Sequence, residues 1–477
     1  MGRPQGWGLP ASWNLNQIIF GVLSLLFFIL PLHQLGAGIV FSICFLLNLV
    51  NIWKTGQFWP AIQIPRTISR PLWALFILSG VSTLWSENPA ACALNWLWVV
   101  GQEAGIFYLV LRYASTGRRT LFLTKIFMIS AGIVAAFGIW QYFFGTSLQN
   151  MEWIDHQAFK HLSRRAISTL VNPNILGTFL VSTVAYCEGL FAPLKGGKTR
   201  WALVGIFLLS TACLILTFSR GNWVAYFWVL FIFAGAFYHK AFLPFIGGGL
   251  GVLYLFWNQL AERLMSIFSV HDTSAELRFF YLESSLDMIR DHPFGVGWYG
   301  YGYAFPDYNF FISEDVFMYH SHNLLLNITA ELGIPGLLLF LCVMVRLFLL
   351  AREIRHRNRT LPWLRGVACG YMASLVGIFI SGLTDHTLFN SQLGMLFWAG
   401  NAILLIADRL SGGRGGPSDA PREDGASEVR KKYKPNAVDV FLQKNLAKGQ
   451  VLSKWSEPHD SRPQKRGCCS CNSPFFS

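Results

Sequence analysis

Apolar residues along this chain come in long unbroken runs rather than in alternation with polar ones. Each run is close to the ~20 residues that a helix needs to cross a ~30 Å hydrocarbon core. Taken in order, the runs predict spans at 17–34, 36–53, 71–86, 92–113, 121–143, 175–193, 200–218, 221–238, 241–257, 334–351, 364–383 and 391–408. The count is twelve if 200–238 is two helices broken near Arg220–Gly221. Only helices or closed barrels satisfy their backbone in lipid, and run length selects helices. The expected fold class is therefore all-α: a polytopic membrane protein of about 12 transmembrane helices. The first run lacks a basic leader and a small-residue cleavage site, and it passes straight into the next, so it is expected to be a span rather than a signal peptide.

Two internal stretches are too polar to span, a short loop at 145–174 and a long one at 258–321. The long loop contains a glycine-rich run, Phe294-Gly-Val-Gly-Trp-Tyr-Gly-Tyr-Gly302. The segment 410–477 is rich in Gly, Pro, Ser and charge and is expected to be a disordered basic tail. The chain thus divides into a transmembrane domain at 1–409, a loop at 258–321 within it, and the tail. Composition agrees: 13% of residues are charged, about half the ~25% of a soluble domain, too few to cover a water-facing surface of this size.

Charge orients the spans. With a cytoplasmic N-terminus, the inside loops hold Lys54, Arg66, Arg70, Arg112, Arg118, Arg119, Lys195, Lys198, Arg200, Lys240 and the run Arg352 to Arg365. The outside loops hold most of the acids, among them Asp155, Glu262, Asp272, Glu276, Asp307, Glu314 and Asp315. Both termini are expected in the cytoplasm, with the long loop outside the plasma (inner) membrane. The net charge of +13 then reflects loops beside anionic lipid and calls for no nucleic acid. The few outside arginines run against the trend.

Four polar clusters fall on the expected outer face. In Arg164-Arg165-Ala-Ile-Ser-Thr-Leu-Val-Asn172-Pro-Asn174, two guanidiniums precede an Asn-Pro helix start. Arginine can bind phosphate bidentately, or the stretch is a basic flank with an Asn cap. Ser219-Arg220-Gly221 has no loop around it, so Arg220 sits at the membrane boundary, where an ionisable group is costly; a snorkelling side chain is the other reading. The segment 276–290, with Leu277, Phe280, Leu282, Leu286, Met288 and Ile289 at helical spacing, predicts an amphipathic helix on the membrane that carries Arg278 and ends at Pro293. The glycine run after it either lets backbone approach a sugar or phosphate closely or is a flexible turn. Finally, in His320-Ser-His322-Asn323-Leu-Leu-Leu-Asn327-Ile-Thr-Ala-Glu331-Leu-Gly-Ile-Pro-Gly336, Asn323, Asn327 and Glu331 make one helical stripe, and His320 extends it by a turn. A histidine at the mouth of that stripe can move a proton or hold a phosphate. Gly333, Pro335 and Gly336 are expected to break the helix. Asp385-His386, just outside the eleventh span, offers a second acid/base pair.

Spacing argues against a metal: on a helix, His320 and His322 would point to different faces, and no His-Glu-x-x-His or Asp-x-Asp pattern occurs. No Gly-x-Ser-x-Gly elbow is present. Cys468, Cys469 and Cys471 lie in the tail, where a reducing cytosol would disfavour a disulfide, and the other six cysteines are expected to act as small hydrophobes.

Over roughly residues 70–405 the chain resembles the O-antigen ligase and O-antigen polymerase superfamily of membrane glycosyltransferases. The most specific stretch is His320 to Gly336, similar to the family's His-Asn…Glu-x-Gly-x-x-Gly signature. Arg165 with Asn172-Pro-Asn174, Ser219-Arg220-Gly221, Arg278 with Pro293-Phe-Gly-Val-Gly297, and Ser82-Thr-Leu-Trp-Ser86 resemble further family motifs, in the family's order. The resemblance implies a GT-C-like fold, an undecaprenyl-pyrophosphate-linked donor, no cofactor and no metal. It implies His322 and Arg220 as catalytic residues and Arg165, Arg220 and Arg278 as binders of the pyrophosphate. Asn323, Asn327, Glu331, Asn174 and His320 would support them. The partners implied are the lipid-linked glycan, a glycan, lipid or protein acceptor, and membrane lipid. A transporter of lipid-linked glycan is the rival reading; odd polar residues clustered on one face favour an enzyme.

Overall fold

The computed structural model describes residues 14–60, 62–145, 164–194, 196–237, 273–309, 318–357 and 361–412. Among them every regular element is helical. In chain order these are α1 Leu15–Ile29, α2 Gln34–Thr55, α3 Arg66–Ser82, α4 Pro89–Tyr113, α5 Gly117–Phe144, α6 Pro173–Phe191, α7 Lys198–Leu216, α8 Arg220–Phe237, α9 Thr273–Asp291, the single turn α10 Tyr301–Ala304, α11 Leu324–His356, α12 Pro362–Gly382 and α13 Ser391–Leu410. Nine of them, α2 to α7 and α11 to α13, are long and apolar enough to cross a membrane. The expected spans at 17–34 and 221–238 are occupied by α1, at 15 residues, and α8, at 18. The expected span 241–257 and most of the tail lie outside the described residues, as do Cys468, Cys469 and Cys471.

Chain punctuation follows local chemistry. Pro31 lies just past the end of α1, and His33 accepts from the Gly36 amide at 2.9 Å to start α2. The break expected within 200–238 falls at Thr217–Ser219, where Phe218 turns to φ 51°. Helix α11 bends at Gly333, which adopts φ 71° and ψ −178° within an otherwise helical run. Of the six described cysteines, five are buried and Cys342 is exposed.

Helices α6 and α12 are the most enclosed of the spans. Small residues let them touch. A Cβ on Gly189 would overlap the Gly366 carbonyl, and one on Gly370 would stand 2.9 Å from the Tyr186 Cα. Close backbone approach through small residues is how apolar helices gain packing where lipid competes for every hydrophobic contact. These two helices bring the residues after Pro173 and the residues after Gly382 to the same end of the bundle, and the candidate site forms there.

The motif stretches around the glycine run pack on one another. The Val296 and Gly297 amides donate to the carbonyls of Ala330 and Glu331 at 2.9 Å each, and the Ile334 amide donates to the Pro293 carbonyl at 3.0 Å. Trp85 Nε1 donates to the Gly295 carbonyl at 3.1 Å, and Ser82 Oγ accepts from the Trp298 amide at 2.9 Å. A side chain on Gly297 would stand 2.9 Å from Ser86 Cβ, and its φ of 94° suits only glycine. The glycines therefore let backbone lie on backbone, at the α11 bend and at the end of α3. That is the physical reason for both the glycine run and the Ser-x-x-Trp-Ser stretch.

Candidate active site

The centre of the site is a pair of polar side chains 211 residues apart in the chain. Asn174, in the first turn of α6, donates through Nδ2 to Asp385 Oδ2 at 2.9 Å. The other oxygen, Asp385 Oδ1, lies 3.1 Å from His322 Nδ1. Asp385 follows α12 and is buried. His322 keeps 31% of its side chain exposed, and its backbone sits at φ 52°. A non-glycine residue held there is strained, and such strain concentrates at functional positions. The Tyr281 ring stacks on the imidazole, with centroids 5.3 Å apart and planes at 26°.

Arg165 and Arg278 reach the residues around this pair, and the backbone of Arg220 lies beside them. Arg165 donates from Nε to the Thr217 carbonyl at 2.8 Å and reaches Asn174 Oδ1 from Nη2 at 3.5 Å. Its neighbour Arg164 turns away to the carbonyls of Tyr142 and Phe143 at the end of α5. Arg278 donates from Nε to the Thr384 carbonyl, next to Asp385, at 3.0 Å. It lies one turn before Tyr281 on α9, so a single helix face serves both the imidazole and the loop that carries Asp385. Arg220 opens α8 and is half-buried. Its neighbours fix where its backbone lies: Ser219 Oγ donates to Asn174 Oδ1 at 2.8 Å, and a Cβ on Gly221 would overlap the Thr384 hydroxyl.

Asn222 ties the floor together. Its Nδ2 donates to the Asn174 carbonyl at 3.0 Å and to Ser219 Oγ at 2.9 Å. Its Oδ1 accepts from Thr178 Oγ1 at 3.0 Å and Ser381 Oγ at 2.7 Å. Sequence reasoning did not single out Asn222. The available signal was an amide in an apolar run directly after Ser-Arg-Gly, since a polar group at that depth must be satisfied by protein.

The polar stripe at the start of α11 differs from expectation. His320 and His322 are not helical: Asn323 caps α11, accepting from the Leu325 and Leu326 amides at 3.0 and 3.1 Å. The capping amide stops the periodicity that would have carried the stripe to His320. Asn327 accepts from the Ser321 amide at 3.0 Å, and Glu331 lies buried under the glycine run. Ahead of the cap the chain doubles back, so the His322 amide donates to His320 Nδ1 at 3.2 Å and the two rings meet at 4.5 Å. His320, His322 and Asp385 thereby offer three ligand atoms within 4.8 Å of one another. The argument from helical spacing against a metal therefore fails for these residues.

Electrostatics set the protonation states. Burial pushes His320 down to about 4, against the pull of the Asp385 charge. Burial likewise pushes His386 down to about 3. Burial would raise Asp385, but its hydrogen bonds to His322 and Asn174 and the attraction of the neighbouring imidazoles outweigh it, and the carboxyl is held below the usual range. At neutral pH His320 and His386 are uncharged and Asp385 is a carboxylate. A carboxylate on Nδ1 fixes the His322 tautomer with its proton on Nδ1, which leaves Nε2 as the basic nitrogen.

Residues 205–341 match the family model described as O-antigen ligase. Over this segment the chain is similar to that family, and the resemblance to the O-antigen ligase and polymerase superfamily is borne out. The matched segment contains Arg220, Arg278, the glycine run and the histidines. Arg165, Asn174 and Asp385 lie outside it and join it through the contacts above. The multiple apolar helices, together with the match over 205–341, support a multi-pass membrane protein of the ligase or polymerase type. No curated protein matches the chain.

Proposed function

We propose that this protein is a glycosyltransferase that moves a glycan from an undecaprenyl-pyrophosphate carrier to an acceptor at the outer face of the inner membrane, without a metal. The observation that supports it most is the meeting of His322, Asp385 and the chain segments that carry Arg165, Arg220 and Arg278. The oxygen of an acceptor hydroxyl attacks the anomeric carbon. Its proton passes to His322 Nε2, and the resulting imidazolium is stabilised by Asp385. The glycosyl C–O bond breaks, and its electron pair leaves with the pyrophosphate. The arginines meet that growing negative charge with guanidiniums already fixed in place, which is where preorganised charge lowers a barrier most. His322 and Arg220 are the catalytic residues in this reading, and Arg165 and Arg278 complete the pyrophosphate site. Asn174 joins arginine to carboxylate, and Asn323, Asn327, Glu331 and His320 hold the backbone around the imidazole. Both termini are cytoplasmic, and the loops that carry the site are extracytoplasmic.

The test is transfer in vitro. Purified protein in nanodiscs is given a polyprenyl-pyrophosphate oligosaccharide and candidate acceptors in the presence of a chelator. Appearance of glycosylated acceptor with release of the polyprenyl pyrophosphate supports the reading, and product length separates single transfer from polymerisation. Movement of the intact lipid between leaflets with no transfer would replace it with a transporter.

A further inference from the structure

Beside the histidines lies a group of aromatic rings that the chemistry above does not use. The Tyr299 ring lies parallel to Phe389, with centroids 6.2 Å apart and planes at 11°. Tyr319 adjoins both, at 6.1 Å from Phe389 and 6.4 Å from Tyr299. Phe389 in turn contacts the rings of His320 at 5.0 Å and His386 at 6.1 Å. Tyr319 is 50% exposed. Tyr299 is held at φ 61°, a backbone cost for a bulky residue, so its ring direction is imposed by the fold.

We infer that Tyr299, Tyr319 and Phe389 form a platform for a pyranose ring of the acceptor glycan. The class of ligand follows from the surface. An aromatic face carries negative quadrupole and no hydrogen-bonding group. A pyranose presents one face of polarised C–H groups and a rim of hydroxyls, so it can lie on such a ring while its rim reaches phenol and imidazole groups. An interfacial aromatic belt would have Tyr and Trp side chains anchored singly at the headgroup level. Here the rings gather on one another and run into His320, whose ring lies 4.5 Å from that of His322. Geometry also separates acceptor from donor. The arginine-bearing segments reach the His322–Asp385 pair through Asn174 and Thr384. The aromatic rings reach it through His320. A hydroxyl held on the aromatic side meets the imidazole while the pyrophosphate occupies the arginine side. The identity of the glycan as acceptor rests on the transferase reading; binding of a sugar ring does not.

The experiment pairs kinetics with direct binding for full-length wild type, Tyr319→Leu, Tyr319→Phe and Phe389→Leu. The expected result for Tyr319→Leu is an acceptor KM raised about tenfold, with kcat within about twofold and donor KM unchanged. Tyr319→Phe, which keeps the ring, restores the wild-type KM. Binding is read by saturation-transfer NMR with oligosaccharides released by mild acid from the envelope glycolipids of the source cells. Wild type should saturate sugar C–H protons, and Tyr319→Leu and Phe389→Leu should lose most of that signal. Signal equal in wild type and leucine variants, or absent from all, overturns the platform, as does a KM change confined to the donor. Binding that depends on Tyr319 in a protein that transfers nothing supports the platform and overturns the transferase reading instead.

Discussion

His322 Nδ1 and Asp385 Oδ1 stand 3.1 Å apart although 63 residues separate them in sequence. The second carboxylate oxygen is occupied by Asn174, so Asp385 cannot rotate without breaking a bond to α6. His322 precedes α11 and Asp385 follows α12, so the pair forms where those two helices meet, braced by Asn174 of α6; in the transferase reading it is a base and its orienting carboxylate.

Asp385→Asn preserves shape and removes the charge. An amide that donates to Nδ1 forces the proton to Nε2 and leaves the imidazole unable to act as a base. We expect kcat to fall by roughly a hundredfold or more, with donor KM and melting temperature close to wild type. Steady-state kinetics beside a thermal-shift curve checks both. A drop in melting temperature that accounts for the lost activity would make the residue structural.

Acid lability follows from the buried imidazoles. His320 titrates near 4 and His386 near 3, against an ordinary value of 6.5. Between those limits the unfolded chain takes up protons that the folded chain refuses, so stability rises with pH and is lost as pH falls below about 6.5. The Asp385 carboxyl, held below its ordinary 3.8, adds to the loss only at still lower pH. The melting temperature should be flat above pH ~7.5 and decline steadily toward pH 4. His386→Asn should flatten that decline, and an unchanged slope would show that other groups cause it.

Much of this was legible in the sequence, and the failures have physical causes. Run length predicted nine of the twelve expected spans as helices that, among the described residues, are long and apolar enough to cross, because lipid permits few other solutions, and the break near Arg220 and the bend at Gly333 were legible from the local sequence. The arginines and His322 were legible as polar groups in places where they are costly. Asp385 was noticed but not joined to His322, because its partners are fixed by how α6 and α11 meet the end of α12 and not by any local pattern. His320 was placed on a helix because it extends the polar stripe of Asn323, Asn327 and Glu331 by one turn; the cap that ends the helix is a hydrogen bond, which periodicity cannot reveal. The glycine run suggested an approach to ligand, whereas the fold uses it to seat backbone on backbone.

Gly297 offers a test of that seat. At φ 94° and packed on Ser82 and Ser86, it has no room for a methyl group. Gly297→Ala should cost about 1–3 kcal/mol in strain and lower the yield of monodisperse protein in detergent. Gly205→Ala, where nothing lies within 4 Å of the added atom, is the matched control. Equal yields and melting temperatures would remove the structural role assigned to the run.

Three ligand atoms within 4.8 Å make the site a trap for a tetrahedral cation that prefers nitrogen and oxygen. Chelator should leave transfer unchanged. Micromolar zinc should inhibit it reversibly, and Asp385→Asn should weaken the inhibition on residual activity. Loss of transfer on chelation, restored by one metal, would mean that the site uses a cation.

The central claim is that fixed arginines carry the charge of a departing pyrophosphate. Its most direct measurement is the single-turnover rate of glycan transfer by Arg220→Ala and Arg220→Lys against wild type, at saturating donor and without metal. Because the interaction belongs to the transition state, the rate should fall by about 10²–10³ for alanine and by a smaller factor for lysine, with donor affinity little changed. Rates equal to wild type in both variants would contradict the account.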